Sequence, residues 1–394
     1  MVKITNIYIG GWFQRTMLQL SEVYDFLRNA ETKLNLDRDK LSELRKALAI
    51  GSISYGVSGE EFVSFVTSEH VHVKIFEDGL IVLNSPNVSE ETLFADVEYL
   101  ENYYEQKLTP AINYLFSLGA PVPKELADIE NIYPYFIVCD NASKDEISEL
   151  LSRTERQKYF EFDTNNYNVI RGDKYYFINN KKKSIDTIER YIEEQVFIRE
   201  FKGQLHRYLD LHRIIWEKID NVKDRAKVKG KDIIMFTTKL EGYAKTINLI
   251  DGRIRQMSTY ISTREKIAKS DPDLEEFLAI SGFRYETLRD TLEYIKYLWD
   301  MTRDYVNQAQ KLFESIKNDI TSGDIKNLTI VTSMSAGAAI LSLFTESEPT
   351  FTAFGVAYFF ILAFVGWIAT KLLNYIARKR KYEISDIDYE SNIK

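Results

Sequence analysis

Hydrophobic and polar positions follow three rhythms along the chain. Over residues 3–180 short β-branched and aromatic runs at 3–9, 52–56, 62–67, 70–76, 80–83, 133–139, 167–171 and 174–178 predict strands. Glu77-Asp78-Gly79 between two such runs predicts a hairpin turn, and Gly172-Asp173 predicts another. Runs at 17–27, 41–49 and 91–118 have helical spacing, so this first part reads as an α/β domain.

From Ser184, a good N-cap residue, the period lengthens to that of long helices. Phe236, Leu240, Tyr243, Ile247, Ile250, Ile254, Met257 and Ile261 recur in steps of three and four. After Asp271-Pro272 a third long helix carries Leu288, Leu292, Ile295, Trp299, Thr302, Val306, Ala309, Phe313, Ile316 and Ile320 in four-three alternation, with Thr302 as its polar position. Such seams predict helices packed on helices.

The third rhythm is continuous apolar sequence at 327–344 and 351–373, joined by Thr345-Glu346-Ser347-Glu348-Pro349-Thr350. At 1.5 Å per residue, the second run covers a hydrocarbon core of ~30 Å and the first sits near the lower limit. The expected fold class is therefore an α+β membrane protein: a cytoplasmic α/β domain, and long antiparallel helices forming a stalk continuous with the first of two C-terminal transmembrane helices. The expected divisions are 1–180, 181–326, 327–375 and a tail at 376–394. Gly323 is either a bend or a tolerated helix residue.

Charge orients this arrangement. Lys371, Arg378, Lys379, Arg380 and Lys381 follow the second run, whereas the loop carries Glu346 and Glu348 and no Lys or Arg. Positive residues stay on the cytoplasmic side, so these five act as topology anchors of a multi-pass cell-membrane protein with both termini cytoplasmic. The net charge of −8 argues against nucleic acid as a partner. The single Cys139 excludes an intrachain disulfide and sits in a strand-like run as a small buried hydrophobe. His70 and His72 are expected two apart on one strand, and His206 and His212 have no assigned role. No phosphate-binding Gly-Lys-Ser/Thr loop, dinucleotide fingerprint or nucleophile turn is present, so no enzyme is expected and no cofactor is called for.

On a helical wheel Leu328, Thr332, Ser335, Ala339, Ser342 and Glu346 fall within about 80° of one another, opposite Ile330, Met334, Leu341 and Phe344. A small, mildly polar face in a membrane helix meets either a neighbouring helix or water. Close helix packing and a pore in a ring of subunits both fit. Glu346 and Glu348 at the outer mouth would attract hydrated cations, or are a solvated loop.

This order of parts, with Lys326-Asn327-Leu328-Thr329-Ile330 leading into the first span, resembles the CorA-like family of divalent-cation transporters. The resemblance implies a homopentamer in the lipid bilayer, Mg²⁺ or a similar divalent cation as the transported or regulatory ion, and a pore lined by Leu328, Thr332, Ser335 or Ala336, and Ala339, with Ser342 on the same face. No metal ligand follows from it. The family's Tyr-Gly-Met-Asn turn would fall on Thr345, Glu346, Ser347 and Glu348, and none matches. A non-conducting, membrane-anchored scaffold or ligand sensor with the same architecture is the alternative.

Overall fold

The computed structural model describes residues 2–13, 19–58, 60–115, 135–154, 157–223, 227–229 and 232–345. It also describes positions 360, 361, 364, 365, 367, 368, 371, 372, 375 and 381–383. The chain forms two compact units. The first takes in Met1–Asp210 with Asp251–Tyr297, and the second Leu211–Ile250 with Leu298–Lys394.

The first unit is built on a nine-stranded sheet in the order β2-β3-β4-β5-β1-β6-β9-β8-β7. Its strands are β1 (Ile4–Trp12), β2 (Ile50–Ser58), β3 (Glu60–Thr67), β4 (His72–Phe76), β5 (Leu80–Pro86), β6 (Tyr135–Asp140), β7 (Lys158–Asp163), β8 (Tyr167–Gly172) and β9 (Tyr175–Asn180). Neighbours are antiparallel except β6 and β9, which pair in parallel from Tyr135↔Tyr175 to Asp140↔Asn180. The Asp-Gly turn joins β4 to β5 as expected, with Gly79 at φ 93 where a side chain would be strained. β7 escapes the sequence reading because it is an edge strand whose alternate residues are exposed. His70 is a correction: at φ 64 it lies in the turn before β4, so it does not share a strand face with His72.

One sheet face carries Ile7, Ile9, Val73, Ile75, Leu83, Ile137 and Phe177 into the main core. It is covered by α1 (Leu20–Asn29), α2 (Arg38–Ala47), α3 (Leu93–Tyr103), α4 (Thr109–Leu115) and α5 (Lys144–Thr154). The expected helix 91–118 is broken by a π-helical turn at Tyr104–Leu108, and its last residues lie outside the described ones. Cys139 is buried in this core, and burial pushes its thiol up to about 12, as suits a packing residue.

The opposite face carries Tyr8 and Trp12 toward the long helices. These are α6 (Ile185–Lys223) and α7 (Ile233–Ser270), followed by the short α8 (Glu275–Ser281) and by α9 (Phe283–Thr345). Ser184 Oγ accepts from Thr187 N at 3.2 Å, capping α6 where the sequence places its start. Trp12 packs on Phe197, Phe201 and Tyr260, at centroid distances of 5.8, 5.1 and 5.7 Å. The third long helix begins at Phe283 rather than directly after Asp271-Pro272, because a 3-10 turn and α8 come first.

In the second unit the seams close on one another within the chain. Phe236 of α7 meets Phe313 of α9 at 5.7 Å, Trp216 of α6 stacks on Tyr305 at 4.5 Å, and His212 lies edge-on to Trp299 at 5.8 Å. Trp299, Thr302, Val306, Ala309 and Phe313 are all buried. A short ribbon pairs β10 (Lys227–Lys229) with β11 (Lys381–Glu383), so Lys381, expected as an anchor, is also a backbone partner of Lys229.

Candidate functional site: the long helix and a buried charge network

α9 is one uninterrupted helix of 63 residues, and Gly323 is tolerated within it. Its N-terminal part carries the buried seam, and its C-terminal part carries the expected pore face, so both patterns lie on one continuous helix. Thr332, Ser335 and Ala336 are exposed. Thr332 Oγ1 donates to Thr329 O at 3.0 Å, and Thr329 Oγ1 donates to Ile325 O at 2.9 Å. Hydroxyls folded back onto their own helix offer their oxygens outward without stranding a donor. Leu328, Ala339 and Ser342 lie on the helix, but their side chains are outside the described residues, as are Glu346, Glu348, Arg378, Lys379 and Arg380.

α9 passes Phe236 at Phe313 and then continues for roughly 32 residues, ~48 Å at 1.5 Å per residue. β11 nevertheless pairs with β10, which precedes α7 and Phe236 by a few residues. Between Thr345 and Lys381 the described helical positions Phe360, Ile361, Phe364, Val365, Trp367, Ile368, Leu372 and Tyr375 are all exposed, at 45–66%. Water does not favour so many large exposed apolar side chains together. Lys371 Nζ lies 4.5 Å from the Trp367 ring, a cation–π pair at the end where the anchor was expected. Among the described residues, no helix is long and apolar enough to cross a membrane.

The first unit holds a charge network that sequence reading missed. Arg264 of α7, 3% exposed, grips Asp78 with two bonds, Nε to Oδ2 at 2.6 Å and Nη2 to Oδ1 at 2.9 Å. Its Nη1 donates to Glu194 Oε1 of α6 at 3.4 Å, Glu60 Oε2 of β3 lies 2.9 Å from Nη2, and the Tyr285 hydroxyl of α9 donates to Glu194. The guanidinium also lies 4.9 Å from the Phe76 ring and 5.6 Å from the Phe197 ring. Burial pushes Glu60 up to about 7, with Arg264 pulling the other way. Burial also raises Glu194, and Arg264 stays charged because the attraction of Asp78 and its neighbours outweighs its own desolvation. Beside this network, Lys74 bridges Glu189 and Glu193 at 2.5 and 3.2 Å, and burial pushes Glu193 up to about 7.

These carboxylates are committed to Arg264 and Lys74. Among the described residues no three His, Cys, Asp or Glu side chains converge as a metal-holding group. The network instead ties β3, the β4–β5 turn, α6, α7 and the start of α9 into one body. The one sequence signal was Asp78, whose turn role was legible while its partner, 186 residues away, was not.

No family model matches the chain. No curated protein matches it. Among solved structures, the chain is similar to the CorA magnesium transporter from Methanocaldococcus jannaschii, at 11% identity and TM-score 0.24, over 64% of this chain and 92% of that one. It is similar to the ZntB cytoplasmic domain from Vibrio parahaemolyticus RIMD 2210633, at 13% identity and TM-score 0.20, over 49% of this chain and 92% of that one. It is similar also to the soluble domain of CorA from Methanocaldococcus jannaschii, at 11% identity and TM-score 0.18, over 50% of this chain and 94% of that one. Likenesses at these TM-scores carry no argument about what this chain does.

Proposed function

We propose that the chain is a homo-oligomeric membrane channel or transporter for divalent cations of the Mg²⁺/Co²⁺ type, CorA-like in organisation, with the C-terminal part of α9 lining the pore. The observation that carries this reading is α9 itself, which bears a buried seam and then an outward face of small and hydroxyl residues on one unbroken helix. The exposed apolar side chains described between Phe360 and Tyr375 support a lipid or subunit environment for that segment. Because the α9 seam is already buried within one chain, subunits of the oligomer meet through other surfaces. A ring of Thr332 and Ser335 hydroxyls would face a hydrated cation, and Glu346 and Glu348 would raise its concentration at the mouth.

Flux of Mg²⁺, Co²⁺, Ni²⁺ and Zn²⁺ into proteoliposomes tests the proposal. Flux of at least one ion above empty vesicles, reduced by Ser335→Leu and by Glu346→Gln/Glu348→Gln, is expected; no flux for any of the four refutes conduction. A second reading, a non-conducting membrane-anchored scaffold or ligand sensor, is favoured by the Thr345–Glu348 sequence in the place of Tyr-Gly-Met-Asn. It requires an intact oligomer in detergent with no flux.

A further inference from the structure

The first unit contains an open cavity of about 220 Å³ between α6, the start of α9 and strands β6, β8 and β9. Among the described residues its lining includes Arg171, Lys202 and Arg284 and no Asp or Glu; a fourth cation, Arg199, is held by Glu200 Oε1 at 2.5 Å. Like charges gathered in a concave wall repel one another, and an anion between them relieves that. Such a wall refuses a metal ion.

One of these cations is positioned by a neutral neighbour. Gln195, 3% exposed, lines the cavity, and its Oε1 accepts from Arg284 Nη1 at 2.7 Å. A guanidinium can only donate, so this contact fixes which end of the amide is oxygen. The amide nitrogen is thereby left as a donor with no partner among the described residues, and it is itself closed off from the cavity's open space. At the mouth, the Phe283 ring is 63% exposed, while Tyr176 inside is already covered by Phe136 at 5.1 Å and by Arg171 at 5.6 Å. The free flat surface is therefore Phe283. The volume lies below the roughly 300–1,000 Å³ of pockets that engulf a drug-sized ligand, so it admits a phosphate and sugar and leaves a base at the mouth.

We propose that this cavity binds a mononucleotide, its phosphate held by Arg171, Lys202 and Arg284 and its base stacked on Phe283. The inference does not depend on ion conduction. Calorimetric titration of the full-length protein in detergent, without divalent cations, with AMP, inorganic phosphate and adenosine tests it. AMP is expected to bind about tenfold or more tighter than phosphate or adenosine, stacking and charge pairing each supplying a share. Lys202→Gln, at an exposed position that leaves the fold intact, should weaken AMP several-fold, and Arg284→Gln about tenfold or more. Phe283→Ala should reduce AMP to the affinity of phosphate while leaving phosphate unchanged. No AMP binding up to about 1 mM, or AMP affinity unaltered by Lys202→Gln and Arg284→Gln, overturns the site. Phosphate binding as tightly as AMP overturns the assignment of Phe283 as base platform.

Discussion

Arg264 shows how much of the first unit turns on one side chain. Three carboxylates, from β3, the β4–β5 turn and α6, share its charge, and two aromatic rings pack against it. Removing the cation leaves those carboxylates buried against one another, a loss expected to cost about 3–5 kcal/mol. Arg264→Met should lower the denaturant midpoint accordingly. Arg264→Lys keeps the charge but cannot form the two-bond grip on Asp78, so its loss should be intermediate. Thr302 illustrates the opposite case. It is fully buried in the α9 seam, yet its hydroxyl donates only to Leu298 O at 2.9 Å. Thr302→Val leaves no partner stranded elsewhere and should change stability by less than about 1 kcal/mol in the same assay.

At the scale of elements, β1 explains the Gly10-Gly11 pair. A Cβ on Gly10 would sit 2.5 Å from Ile81 O and 2.9 Å from Val196 Cγ1 of α6, and one on Gly11 would run into the Tyr104 hydroxyl of the π-helical turn. The two glycines let helices approach both faces of the central strand. Gly10→Ala should destabilise by about 1–3 kcal/mol through forced shifts in backbone and helix. Gly203, inside α6, would meet nothing within 4 Å, so Gly203→Ala should stabilise by about 0.5–1 kcal/mol. Thermal unfolding of the two variants side by side separates close approach from helix propensity.

For the whole molecule, the raised carboxyls set a pH dependence. Folded Glu60 and Glu193 keep their protons up to about pH 7, whereas in the unfolded chain they release them in the usual carboxylate range. Between these limits the folded state binds more protons, so stability falls as pH rises. Their contribution is fully present below the usual range and lost as pH passes about 7. The denaturant midpoint is therefore expected to drop between pH 5 and pH 8, and Glu60→Gln should flatten that drop by removing one of the two titrations. A midpoint that rises over the same interval contradicts the assignment. Oligomeric state belongs to this scale too. Light scattering in detergent should show several copies per particle, and a monomer would count against both functional readings.

The sequence alone determined what depends on neighbours along the chain. The strand runs, the Asp-Gly turn, the Ser184 cap, the a/d seam of α9 and the two apolar runs are local patterns, because side-chain direction repeats with period two or 3.6. The Leu328–Ser342 stripe was legible for the same reason, though what it faces is a property of an assembly. Tertiary structure decided what depends on distant residues meeting. Arg264 finds Asp78 and Glu194, 186 and 70 residues away, and Lys74 finds Glu193, 119 away. Gln195 becomes an orphan donor only once Arg284, 89 residues on, takes its oxygen. No periodicity encodes such meetings, since a charge paired in the interior and a charge in solvent look alike in sequence. The fold separates them by withdrawing water from one and leaving it at the other.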